Sequence, residues 1–125
     1  MGYRSDVKAA FYVKDAKHLP ILKIWLTANF PMEEFGDSIR WFDRGMVLSE
    51  ESVKWYEDDP DVKAFDEAVR KYLMLMDADY TNNDYPVFSY EIVRLGENYD
   101  DIITEYEGVD CECILGVTRS ITCEV

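Results

Sequence analysis

The spacing of apolar residues changes along the chain, and this change most constrains the fold. In residues 7–13, Val, Ala, Phe and Val alternate with a second set of side chains, which is typical of a β-strand with one face buried. In residues 60–76 the apolar positions recur every three or four residues, which predicts a helix. Asp59 supplies an N-cap and Pro60 suits the first helical position. The chain therefore contains both strands and helices.

Residues 19–29 predict a second helix, which follows a turn started by Asp15 and ends before Pro31. Its apolar residues again follow the helical spacing, with Leu22 and Leu26 beside the main stripe. The stripe predicted to be buried comprises Ile21, Ile24, Trp25 and Ala28.

The segments between and after the helices predict short strands and polar loops. The loops are residues 31–37 and 77–86, and Gly116 is expected to mark a bulge in the last strand. The predicted strands are residues 39–42, 46–48, 52–56, 87–95, 101–107 and 111–123, with turns at 43–45, 49–51 and 96–98.

This order of elements predicts one α+β domain over residues 1–125. A chain of 125 residues suffices for a single core without disulfide or metal support. The simplest packing places two helices on one face of a mainly antiparallel sheet of about five to six strands. The N-terminal residues show no signal peptide, and no stretch is apolar and long enough to span a bilayer.

The charge is distributed very unevenly along the chain. Residues 1–54 contain eight Lys or Arg and eight Asp or Glu, whereas residues 55–125 contain five and eighteen, so the second half carries the net charge of −13. A polyanion such as nucleic acid binds a basic patch, so direct nucleic-acid binding is not expected. The imbalance is compatible with simple solubility, with a basic protein partner, or with a surface that imitates nucleic acid.

Common catalytic, metal and nucleotide motifs are not evident in the sequence. His18 is the single histidine, and its position at a helix start favours a surface or capping role over catalysis. Cys111, Cys113 and Cys123 lack zinc-site spacing, so buried free thiols are favoured and a reducing cytosol is indicated. Glycines never occur as G-x-G. We therefore expect no enzymatic activity, no catalytic residue, no metal and no cofactor.

Acidic residues near the predicted strand 101–107 form the main candidate binding surface. Glu105 and Glu107 share one face of that strand, with carboxylates separated by about 6.6 Å along it. A solvated face that protects a sheet edge is the simpler interpretation. The complete candidate set is Glu97, Asp100, Asp101, Glu105, Glu107 and Glu112.

Three segments resemble a group of small acidic proteins from bacteriophages and prophages. They are residues 1–7 (MGYRSDV), residues 53–56 leading into 60–65 (VKWY, PDVKAF), and residues 94–102 (RLGENYDDI). The resemblance implies a phage origin and assigns no activity. Within these motifs and near the C-terminus, an alternative anion pocket would comprise Arg4, Arg94, Tyr99 and Arg119.

These observations lead to a functional hypothesis with two alternatives. The leading hypothesis is a non-enzymatic phage protein in the host cytoplasm that inhibits a basic, nucleic-acid-handling or defence protein through its acidic surface, as a DNA mimic does. A module that sequesters a small ligand such as a nucleotide is the first alternative. A structural or virion-associated protein is the second. The oligomeric state is left open.

Overall fold

A computed structural model of the chain describes residues 4–56, 58–82, 87–96, 102–107, 115–117 and 121–123. Three α-helices lie within these ranges: α1 (Leu19–Asn29), α2 (Met32–Phe35) and α3 (Pro60–Asn82). Single 3₁₀ turns occupy Ala16–His18 and Gly36–Ser38. The strands are β1 (Ser5–Val13), β2 (Ile39–Phe42), β3 (Gly45–Val53), β4 (Phe88–Gly96), β5 (Ile102–Glu107), β6 (Leu115–Val117) and β7 (Ile121–Cys123).

Five of these strands form one sheet in the order β2-β3-β1-β4-β5, and every neighbouring pair is antiparallel. The helices pack on one face of this sheet. The predicted α+β fold with a mainly antiparallel sheet is confirmed. The short helix α2 replaces part of the predicted loop at 31–37.

The prediction of one continuous strand over residues 111–123 is wrong. Its described parts are β6 and β7, which pair with each other in a separate two-stranded sheet. Gly116 lies opposite Thr122 in this pairing, within a regular register. The remaining residues of the segment lie outside the described ranges.

The central strand β1 is buried on both faces, whereas the sequence pattern predicted burial of one face. Phe11 and its neighbours of the same parity face the helices, while Ala10 and Tyr12 face the opposite side. There they pack with Val47, Val93 and Leu115 of β6. Small or aromatic residues at every position from 9 to 13 therefore serve two cores, because β1 lies between two layers.

Aromatic rings form most of the core on the helix-bearing face. The ring centroid of Phe11 lies 5.1 Å from that of Tyr72, 5.0 Å from that of Tyr90 and 5.4 Å from that of Phe30. The hydroxyl of Tyr72 donates to the carbonyl of Ser89 over 2.8 Å. This hydrogen bond ties α3 to β4 and satisfies a polar group that would otherwise be costly to bury.

The buried stripe of α1 differs from the predicted one by about one residue. Leu22 and Leu26 are fully buried, whereas Ile21 is 56% exposed and Ile24 is 72% exposed. Trp25 is half-buried, and it packs against Tyr72 of α3 with 5.4 Å between ring centroids. Because α1 is apolar around much of its circumference, residue spacing alone did not decide which stripe faces the sheet.

Two other element boundaries also differ from the prediction. β3 is one continuous strand, so the predicted turn at 49–51 and separate strand at 52–56 are wrong. Ser49 and Glu50 lie opposite Lys8 and Val7, so β3 follows the full length of β1. The predicted helix 60–76 begins at Pro60 as expected but continues to Asn82, which removes residues 77–82 from the predicted loop.

Gly45 is required where β3 begins beside β1. A Cβ atom at this position would lie 2.1 Å from the carbonyl oxygen of Phe11 and 2.6 Å from the Cα of Tyr12. Both contacts are to backbone, which cannot move without disturbing the central pairing. A Cβ at Gly36 would meet nothing within 4 Å.

We expect Gly45→Ala to lower the free energy of unfolding by about 2 kcal/mol, because the added methyl overpacks the β1–β3 contact. Gly36→Ala, the matched control, should change it by less than about 0.5 kcal/mol. Urea denaturation followed by tryptophan fluorescence measures both. Equal stability of the two variants would contradict the placement of Gly45.

Candidate partner-binding surface

The described part of the predicted acidic surface lies on β5. This strand contains Glu105 and Glu107, which occupy alternate positions along it. The other four candidates fall outside the described ranges: Glu97, Asp100, Asp101 and Glu112. The structure thus places Glu105 and Glu107 on β5, and the predicted binding surface stays a prediction.

β5 is an edge strand, and its register fixes the face that carries the carboxylates. Glu105 lies opposite Ile92 of β4, and Glu107 lies opposite Tyr90. Tyr90 and Ile92 pack in the helix-side core. Ile103 and Glu105 therefore belong to the helix-bearing face, at the margin of the sheet.

Both faces of β5 are open to solvent at its centre. Ile103 and Glu105 are exposed on one face, and Thr104 is exposed on the other, since side chains alternate along a strand. An interior strand of this sheet is covered by helices or by β6. Two-sided exposure therefore distinguishes β5 from the rest of the sheet and leaves it accessible to another molecule.

Carboxylates from two distant parts of the chain influence the buried side chain of Tyr90. Burial raises the pKa of Tyr90 far above its ordinary value, and the negative charges of Glu105 and Asp66 raise it further. Asp66 belongs to α3, so acidic groups from a helix and from an edge strand both raise the pKa of Tyr90. Sequence reasoning missed Asp66 because it looks like any residue on the polar side of a helix.

The alternative anion pocket is only partly described. Arg4 is exposed immediately before β1, and Arg94 is half-buried on β4 opposite Ile103. The Nε atom of Arg94 is buried and has no hydrogen-bond partner among the described residues. Tyr99 and Arg119 lie outside the described ranges, so the pocket stays a prediction.

A buried carboxylate, Glu91, lies on the opposite face of the sheet, and the sequence reading missed it. Its side chain is completely buried between β1, β4 and β6. The hydroxyl of Tyr12 donates to Oε2, and the backbone N–H of Leu115 donates to Oε1 over 3.2 Å. Both carboxylate oxygens are thus engaged and shielded from any substrate, so Glu91 attaches β6 to the sheet.

The remaining chemical candidates show no catalytic arrangement in the described ranges. His18 is half-buried at the N-terminus of α1 and makes no side-chain capping hydrogen bond. Cys123 lies in β7, whereas Cys111 and Cys113 fall outside the described residues. Among the described side chains, no group of three or more His, Cys, Asp or Glu is placed to hold a metal ion.

A surface cavity of about 280 Å³ lies where α2, the end of β3 and the start of α3 meet. Phe35 and Trp55 form part of its wall, and Lys54 is the single basic residue among the described lining residues. The described lining contains four acidic residues, which are Glu34, Glu50, Asp59 and Asp61. This excess of negative charge is unsuitable for the phosphates of a nucleotide.

Comparison with known proteins adds no relative to this description. No protein-family model, curated protein or solved structure matches the chain. Within the described residues, none of the helices combines the length and apolar character that crossing a membrane requires. The resemblance to phage proteins therefore stays a prediction.

The interaction between Glu91 and β6 can be tested by substitution. We expect Glu91→Ala to lower the free energy of unfolding by about 3 kcal/mol, because it leaves the Tyr12 hydroxyl and the Leu115 N–H without their buried acceptor. Glu91→Gln should cost about 1 kcal/mol, since an amide oxygen can still accept one of these bonds.

Urea denaturation gives the stability changes, and hydrogen exchange at the Leu115 amide reports the attachment of β6 directly. Glu51→Gln is the control, because Glu51 is exposed on β3. Unchanged exchange protection of Leu115 in Glu91→Ala would contradict the proposed role of Glu91.

Proposed function

We propose that this chain is a non-enzymatic bacteriophage accessory protein that binds a basic host protein through the acidic edge at β5. The intended partner is a nucleic-acid-handling or defence protein in the host cytoplasm, whose basic surface normally contacts nucleic acid. Binding there inhibits the partner by competing with its nucleic acid. The observation that carries the proposal is the two-sided exposure of β5 beside Glu105.

Electrostatics supports this choice of partner. The net charge of −13 is carried entirely by residues 55–125, which include β5 and Asp66. The negative charges of the chain accelerate its encounter with a basic partner and so favour such a partner. The same charges repel nucleic acid itself. A row of carboxylates along an extended strand also offers a partner a line of negative charge comparable to that of a phosphate backbone.

The alternative of a nucleotide-sequestering module has less support. It requires cationic side chains around a cavity, whereas the described cavity near α2 is lined by four carboxylates and one lysine. A thermal-shift panel of nucleotides tests this alternative, and stabilisation by any of them would favour it over protein binding.

The proposal predicts a salt-sensitive complex that depends on β5. The wild-type chain should capture a basic host protein from bacterial lysate at low salt and release it at high salt, because exposed charge pairs are screened. Glu105→Lys combined with Glu107→Lys should weaken the complex by at least about tenfold, or about 1.4 kcal/mol.

Glu33→Lys combined with Glu34→Lys is the control of matched charge, since both residues are exposed on α2 and lie outside the sheet. Its affinity should stay within about threefold of wild type. The captured protein is then identified by mass spectrometry and its binding to nucleic acid is measured with and without the chain. Capture of acidic proteins only, or equal binding by the β5 variant and wild type, would overturn the proposal.

A further inference from the structure

We propose that the partner binds by adding a β-strand to the outer edge of β5. This inference rests on the proposed function and specifies how the same surface is used. The added strand carries Lys or Arg opposite Glu105 and a β-branched or aromatic residue opposite Ile103. Main-chain hydrogen bonds supply affinity in this mode, and alternate side chains supply specificity.

The hydrogen-bonding geometry of the sheet supports strand addition. β5 pairs with β4 on one side, and no strand in the described part of the chain pairs with its other side. The β4–β5 register is regular over all six residues, without a bulge to turn the edge away. Backbone groups on the outer side are therefore presented in line, over a length typical of a strand.

The opposite edge of the sheet is much less accessible. β2 has four residues, and its Ile39 and Trp41 pack against the helix-side core while Phe42 packs against the second core. Lys23 of α1 lies over the Trp41 ring at 5.0 Å from its centroid. Side chains of an added strand would therefore meet existing layers at β2, whereas they have space on both faces of β5.

The charges on β5 select which strand can be added. A second β5 would place carboxylates against carboxylates, and like charges directly opposite each other are destabilising. A strand with basic residues at alternate positions replaces this repulsion with attraction. β5 contains neither proline nor lysine, two residues that commonly block an edge, so its carboxylates restrict pairing by charge.

The side-chain order of β5 defines a probe peptide. For an antiparallel strand, the sequence Lys-Thr-Lys-Thr-Val-Thr places lysines opposite Glu107 and Glu105, a threonine opposite Thr104, and valine opposite Ile103. The peptide is acetylated and amidated so that its ends add no charge. A peptide of the same composition in the order Lys-Lys-Thr-Thr-Thr-Val removes the alternation and is the matched control.

Backbone methylation tests whether main-chain hydrogen bonds form. One isomer of the peptide carries N-methyl groups on its first, third and fifth residues, and the other carries them on its second, fourth and sixth. Because successive N–H groups of a strand point to opposite edges, only one isomer blocks pairing with β5. That isomer should bind at least about tenfold more weakly than the parent, while the other should bind within about threefold.

An NMR titration of the full chain measures these affinities and locates the contact. The parent peptide should shift the amide signals of Ile103, Thr104 and Glu105, and should slow hydrogen exchange at the outward-facing amides of β5. The double variant Glu105→Lys with Glu107→Lys should lose binding of this peptide and gain binding of Glu-Thr-Glu-Thr-Val-Thr, because the charge pairs are exchanged.

The outcomes separate this inference from the proposed function. Equal binding of both methylated isomers, with the charge dependence retained, would overturn strand addition and leave an acidic contact surface intact. Failure of the parent peptide to bind would overturn strand addition, even if a basic host protein is captured through Glu105 and Glu107. Failure of that capture would count against the proposed function itself.

Discussion

Burial of β1 on both faces is the constraint on which the rest of this structure depends. A strand in this position needs an apolar layer above and below it, because its backbone and side chains are removed from water on both sides. The helices supply the first layer through the aromatic contacts of Phe11. β6 supplies the second layer, but it is only a three-residue strand. Its attachment therefore relies on the hydrogen bond from the Leu115 N–H to Glu91 as well as on apolar area.

The helices and β6 cover the centre of the sheet, and their position determines which edge strand stays exposed to solvent. The helix layer is concentrated over β1 and its neighbours, and β2 at one edge contributes its own side chains to the two cores. β5 lies beyond β4 at the other edge, where Ile103, Thr104 and Glu105 remain exposed. The open edge is thus a consequence of the strand order, and the acidic second half of the chain supplies its charge.

The sequence predicts this fold best where local chemistry decides the structure. Pro60 after an acidic cap placed the start of α3 correctly, and alternation located β1. The predictions were wrong where contacts between residues distant in the sequence determine the structure. The stripe of α1 depends on its packing against Tyr72, and the continuity of β3 depends on pairing with β1. Glu91 is a glutamate in a strand, and nothing local distinguishes it from an exposed one; its burial follows from the return of β6 over the sheet.

The same limit applies to the candidate surface. The alternation of residues along a strand follows from local structure, whereas contacts with other elements follow from tertiary packing. The alternation of Glu105 and Glu107 is visible in the sequence, because a strand imposes it. The influence of Asp66 on Tyr90 is not visible in the sequence, since it depends on how α3 packs on the sheet. The exposed carboxylate of Glu105 also bears on pairing with another copy of β5, because like charges directly opposite each other are destabilising. Under the proposed function, charge at this edge would therefore favour a basic strand over a second copy of β5.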